Sequence, residues 1–231
     1  MIEEYTFPNC NRYFKKDFDK LRYQFIGSKD IENNYSQAFQ DMFALTMLNG
    51  KKNGTYVEIG ADHGVIISNT YLLETQFEWN GVAFEIDQSK VNEYNLIRNN
   101  KCLCADAITF DYKSFFKEKG FLKQIDYLQV DIEPAWRTLN ALKALPLDDY
   151  RFSVITYETD LYHDGPDFAE ESRKILQDCG YELVARNVAN EGNPFEDWYV
   201  DPNIVDKKII EKIKVKSSLN TEAKDILIGE K

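Results

Sequence analysis

The chain has 231 residues, 28 of them Lys or Arg and 39 Asp or Glu, for a formal charge of −11 at neutral pH. Its length suits one α/β domain with elaborations, burying about 70–75% of the unfolded surface, and would be strained by two. So acidic a chain repels phosphate backbones, no apolar run reaches a membrane span, and the amino terminus MIEEYTFPNCNRYFKK lacks the basic-then-apolar order of a signal peptide. The expectation is a cytoplasmic protein that acts on a small molecule, binds neither nucleic acid nor membrane, and is open to homo-oligomerisation.

Residues 1–30 are mixed and aromatic-rich, and 35–49 reads as a helix with Ala38, Phe39, Met42, Leu45 and Met47 on its apolar face. Strands are predicted at 55–59, 81–86, 101–104, 125–130, 151–158 and 181–186. Helices are predicted between them at 65–76, 88–98, 111–119, 136–144 and 167–179, the last ended by Gly180. This alternation predicts a doubly wound, mostly parallel sheet with helices on both faces. Residues 204–231 read as a lysine-rich amphipathic helix and a weakly patterned end. The implied division is a helical lead-in at 1–50, a main domain at 51–202 and a tail at 203–231. Cys10, Cys102, Cys104 and Cys179 have no metal-ligand spacing and lie far in sequence from His63 and His163, so they read as free thiols.

The most informative segment is TYVEIGADHG at 55–64, a strand that runs into a glycine turn and then a helix-like stretch. Gly60 lets backbone approach a ligand, and a following helix would present free N–H groups. Downstream, GVAFEID at 81–87 places Glu85 at a strand end, where a carboxylate can accept from both ribose hydroxyls. The loop lacks the middle glycine of G-x-G-x-x-G and carries Asp62 and His63 where a pyrophosphate would lie. It suits an adenosine ligand without phosphates, of which S-adenosylmethionine is the common one. Asp106, Asp131 and Glu158 also follow or end predicted strands, so five strand ends point polar groups at one rim.

Residues 35–74, YSQAFQDMFALTMLNGKKNGTYVEIGADHGVIISNTYLLE, resemble the opening of FkbM-type methyltransferases, in which an S-Q-x-x-x-D-like helix precedes a V-[DE]-[IV]-G-A loop and an S-N-T segment. AFEID at 83–87, CADAI at 104–108, IDYLQVDIE at 125–133, VITYE at 154–158 and EDWYVDP at 196–202 follow in that family's order. The resemblance implies a class I, Rossmann-like methyltransferase fold with an antiparallel edge strand near 197–201. It also implies S-adenosylmethionine as cofactor and O-methylation of a sugar, nucleotide sugar or sugar-derived molecule. Carried over residue by residue, it implies cofactor contacts from Glu58, Gly60, Ala61, Glu85, Ile86, Asp106, Ala107 and Asp131. Ser36, Gln37 and Asp41 would close over the cofactor from the N-terminal helix, or read as a helix cap and solvated face; Ser68, a further implied cofactor contact, carries the S-N-T likeness with Asn69, and both also read as side chains bonding nearby backbone. One departure is that the family's D-x-E-G-x-E step here reads Asp131-Ile132-Glu133-Pro134-Ala135-Trp136.

Methyl transfer to a hydroxyl needs a base. His163, after the fifth strand, titrates near neutrality and is one catalytic candidate; Asp131 is another. Asp131, Glu133 and Glu158 are also candidate ligands for a divalent cation such as magnesium, or direct partners of substrate hydroxyls. A nicotinamide-dependent oxidoreductase and a catalytically silent binding module are the alternatives, the first opposed by the missing glycine.

Overall fold

The computed structural model describes Tyr13, residues 15–216 and residues 219–229; Cys10 lies outside them. After two short 3-10 turns the elements run α1 (Gln40–Met47), β1 (Thr55–Ile59), α2 (Tyr71–Phe77), β2 (Asn80–Glu85), α3 (Gln88–Ile97), β3 (Lys101–Cys104) and α4 (Tyr112–Glu118). They continue with β4 (Gln124–Val130), α5 (Ala135–Ala144), β5 (Arg151–Glu158), α6 (Leu161–Asp164), α7 (Pro166–Asp178), β6 (Glu182–Asn190), β7 (Asn193–Val200), α8 (Lys207–Ile213), β8 (Thr221–Glu222) and α9 (Ala223–Leu227).

The eight strands form one sheet in the order β3-β2-β1-β4-β5-β7-β6-β8. The chain starts in the middle at β1, steps outward to β3, then returns to β4 on the other side, so strand order reverses between β1 and β4. Strands β1 to β5 are mutually parallel; β7 runs antiparallel between β5 and β6 and forms the antiparallel flank expected near 197–201. This is the expected doubly wound, mostly parallel α/β sheet. Its central strands are apolar on both faces because both are covered. One face packs Val57, Ile59, Leu128, Val130 and Phe152 under α4, α5 and α7. The other packs Tyr56, Tyr127, Val154 and Trp198 in one cluster with Phe25 and Phe43 before β1 and with Ile209, Ile213 and Ile226 after β7. Lead-in and tail thus share a core with the sheet.

Three local readings change. Helix α1 is buried at every residue rather than on one face. No helix covers 65–70: α2 begins at Tyr71, and its first amide donates to Ser68 Oγ at 3.2 Å. The tail holds the expected lysine-rich helix as α8, but its end is patterned after all, into β8, paired to β6 at Val188 and Ala189, and α9. Cys102, Cys104 and Cys179 are free thiols.

Candidate active site

Past β1 the chain stays on β2 for two residues, Gly60 and Ala61 donating to the Phe84 carbonyl at 2.9 and 3.2 Å. Gly60 has φ +86°, and a Cβ there would lie 1.6 Å from the Asp131 carbonyl oxygen. Glycine is therefore demanded by the close crossing of β1 and β4, before any ligand is considered. His63 Nδ1 then accepts the amides of Val65 and Ile66 at 3.0 and 2.9 Å, which fixes that nitrogen as unprotonated and the turn as closed.

A residue far along the chain holds this loop in place. The Arg98 guanidinium is fully buried and pairs with Glu74 at 2.7 Å. It also donates to the Gly64 carbonyl at 3.0 Å, Ser68 Oγ at 3.2 Å, Tyr56 Oη at 3.1 Å and Thr70 Oγ1 at 3.0 Å. Thr70 in turn donates to Glu58 at 2.7 Å. Burial pushes the Glu58 carboxyl up to about 7, with the Arg98 charge holding it back.

The carboxyl ends of β1 to β5 open onto a cavity of about 630 Å³, lined among others by Glu58, Gly60, Ala61, Glu85, Ile86, Asp106, Ala107, Asp131, Glu133 and Glu158. Its lining also includes Gln37 from the lead-in, Asn69 from the loop before α2, Tyr162 of α6 and, from the β6–β7 hairpin, Asn190, Glu191, Asn193 and Phe195. At the β2 side, Glu85 accepts from the amides of Ile86, Asp87 and Asp62 at 2.8, 2.9 and 3.2 Å, so the loop orients its carboxylate and leaves lone pairs spare. Asp106 accepts from the Ile108 amide at 3.1 Å and Arg137 at 3.3 Å, beside the apolar Ile86, Ala105, Ala107 and Ile132.

At the β4–β5 side the Asp131 and Glu158 carboxyls hydrogen-bond each other. Both are raised, first by withdrawal from water; for Glu158 the neighbouring charges of Asp131, Asp160 and Glu196 add to this. Asp160 is buried and pushed up to about 6. Glu196, opposite Glu158 in the sheet, is pushed up to about 8 by burial although Trp198 and Gln40 donate to it. Glu158 Oε2 and Asn69 Oδ1 are buried without a hydrogen-bond partner among the described residues.

Three expected site residues stand apart from this lining. Ser36 is buried against Asp41, donating to it at 2.6 Å, and Ser68 caps the start of α2. His163 is 73% exposed, bonded to Asp164 at 2.7 Å and outside the cavity lining, with the charges of Asp160 and Glu133 acting on it. The chain leaves β5 through Asp160 at φ +48° and enters the short turn of α6 that carries His163. Among the described residues no three His, Cys, Asp or Glu side chains group as ligands for the divalent cation expected of Asp131, Glu133 and Glu158.

Neither a protein-family model nor a curated protein matches the chain. Solved structures with a similar fold include an rRNA methylase from Streptococcus thermophilus, 12% identical, covering 69% of this chain and 94% of that one with a TM-score of 0.46. The N-methyltransferase NodS from Bradyrhizobium japonicum WM9, in complex with S-adenosyl-L-homocysteine, is 10% identical over 71% of this chain and 85% of that one, TM-score 0.46. Aeropyrum pernix fibrillarin with natively bound S-adenosyl-L-methionine is 13% identical over 69% and 74%, TM-score 0.42. Likenesses this distant bear on no residue assignment.

Proposed function

We propose that this chain is an S-adenosylmethionine-dependent methyltransferase acting on an oxygen of a sugar or sugar-derived small molecule, as an FkbM-type enzyme would. The observation that carries the cofactor is the balance of charge around the cavity: eight carboxyl side chains line it against two cationic ones, Lys90 and Arg137. Both cations are already paired, with Asp62 and Asp106. Phosphates would be repelled there, which opposes nicotinamide dinucleotides, nucleotide sugars and nucleic acid alike. An adenosine ligand with a positive sulfonium and no phosphate fits the same surroundings.

In this reading Glu85 holds the ribose hydroxyls, and Asp106 with Ala107 meets the adenine between Ile86 and Ile132. Gly60, Ala61, Gln37 and Asn69 take the methionine end, with Glu58 beneath the loop. Bound there, the cofactor supplies an already activated methyl group. What remains for the chain is to align a hydroxyl and take its proton. Asp131 is the proposed base, since burial, with the charges of Glu133 and Asp62, raises its proton affinity above that of an ordinary carboxylate although its bond to Glu158 pulls the other way. Tyr162 and Phe195 offer ring faces for a sugar.

Calorimetry with S-adenosylhomocysteine and NAD tests the cofactor. Binding of the first and not the second is expected; the reverse would replace the methyltransferase with an oxidoreductase.

A further inference from the structure

The two halves of the cavity differ in how their charges are met. Both lining cations lie on the β2–β3 side, Lys90 against Asp62 and Arg137 against Asp106. On the β4–β5 side stand Asp131, Glu133 and Glu158, and among the described residues no Lys, Arg or His lines the cavity beside them. Asp160 and Glu196 add negative potential from behind, each acting on Glu158. His163, outside the lining, is bonded to Asp164 and its charge acts on Asp160.

A second observation concerns hydrogen bonds. Glu158 is 7% exposed and Asn69 6%, both line the cavity, and each has one buried oxygen without a partner among the described residues. An amide or carboxylate oxygen can only accept, so bound ligands must donate at both places, the methionine end of the cofactor at Asn69 and the acceptor at Glu158. Hydroxyls would satisfy Glu158 Oε2 but leave the crowded Asp131 and Glu158 holding their shared proton, whereas a cation lets both ionise. A group that donates and is positively charged answers both demands.

We propose that the methyl acceptor carries a primary ammonium group received by Glu158 and Asp131, making it an amine-bearing polyol such as an amino sugar. The proposal rests on the methyltransferase reading only in calling that molecule the acceptor; the ammonium site itself does not need it. Tyr162, half-exposed at the rim, adds a ring face that favours cations.

The test compares glucosamine, N-acetylglucosamine and glucose by ligand-observed NMR titration of the full chain, with and without S-adenosylhomocysteine. Glucosamine should bind at least tenfold more tightly than the two neutral sugars, and Glu158→Gln should erase that preference while cofactor-product affinity stays within twofold. Equal affinities, a preference for a neutral sugar, or no detectable glucosamine binding would overturn the proposal. A preference that survives Glu158→Gln would overturn the assignment to this wall. Should the Gln variant not fold, the wild-type comparison still decides, and Glu133→Gln at the exposed mouth should weaken the preference by a smaller factor. Failure of S-adenosylhomocysteine to bind would instead strike the methyltransferase reading and leave the amine preference measurable.

Discussion

Three backbone amides converge on the Glu85 carboxylate, so its orientation is paid for in the folded protein rather than on binding. Hydrogen bonds from ribose hydroxyls to a fixed charged acceptor contribute about 1.5–3 kcal/mol each. Glu85→Ala should therefore weaken S-adenosylhomocysteine at least tenfold by calorimetry, and an unchanged dissociation constant would remove Glu85 as the ribose ligand. The two candidate bases separate in the same residue-level way. With a labelled methyl donor and an acceptor found by screening, Asp131→Asn should lower turnover about 10²–10⁴-fold. His163 lies outside the cavity lining, so His163→Ala should be silent; a pH limb lost in that variant would make it the base. Arg98 shows what a buried charge does for a loop. Arg98→Met strands Glu74 and leaves Gly64, Ser68 and Thr70 without their shared donor, so urea unfolding should register a loss of about 3–5 kcal/mol. A loss under 1 kcal/mol would show that water replaces it.

At the scale of elements, the central strands were legible because β-branched and aromatic residues crowd β1 (Tyr56, Val57, Ile59) and β5 (Phe152, Val154, Ile155, Tyr157), and such stretches belong in a sheet covered on both sides. Their parallel course also made the rim legible: once β1, β2, β4 and β5 run the same way, Gly60, Glu85, Asp131 and Glu158 must emerge at one end. The loop after β1 was not legible, because its caps are side chains, His63 and Ser68, and its staple is Arg98, thirty residues from Ser68. Nothing local in IISNT distinguishes that turn from a first helical turn. The acceptor-side residues Asn190, Glu191, Asn193 and Phe195 were missed for a similar reason, since the β6–β7 hairpin reaches the cavity only because β7 inserts beside β5. The same hairpin is tied from behind by the tail. Glu222 of β8 accepts the amides of Glu191 and Gly192 at 3.2 and 2.6 Å. Glu222→Ala should speed hydrogen exchange at those two amides at least tenfold while α5 and β4 exchange as before. Unchanged exchange there would mean the hairpin holds itself.

For the whole molecule, the acids that set the chain's charge of −11 are not all on its surface. Glu58, Glu158, Asp160 and Glu196 are buried, and each has its proton affinity raised by that burial, Glu58 to about 7 and Glu196 to about 8. A group whose folded pKa exceeds its unfolded one stabilises the fold fully below the unfolded value and loses that contribution as pH climbs through the folded value. For these carboxyls the window opens near pH 4.5 and closes above pH 8. His163, raised by its bond to Asp164, acts in the same direction. Carboxyls held below their ordinary range, such as Glu74 beside Arg98 and Asp87 at the start of α3, exert their effect only at more acid pH. Each proton that the folded state retains and the unfolded state has released costs about 1.4 kcal/mol of stability per pH unit. The protein should therefore lose stability from pH 5.5 to 8.5, with a falling Tm in thermal scans at constant ionic strength. Adding S-adenosylmethionine should raise the Tm across that window, because a ligand bound by the folded state alone stabilises it. A Tm that is flat or rises across the window would mean that these four carboxyls are ionised in the fold, and the acid wall around Glu158 would then carry its full negative charge before any ligand binds.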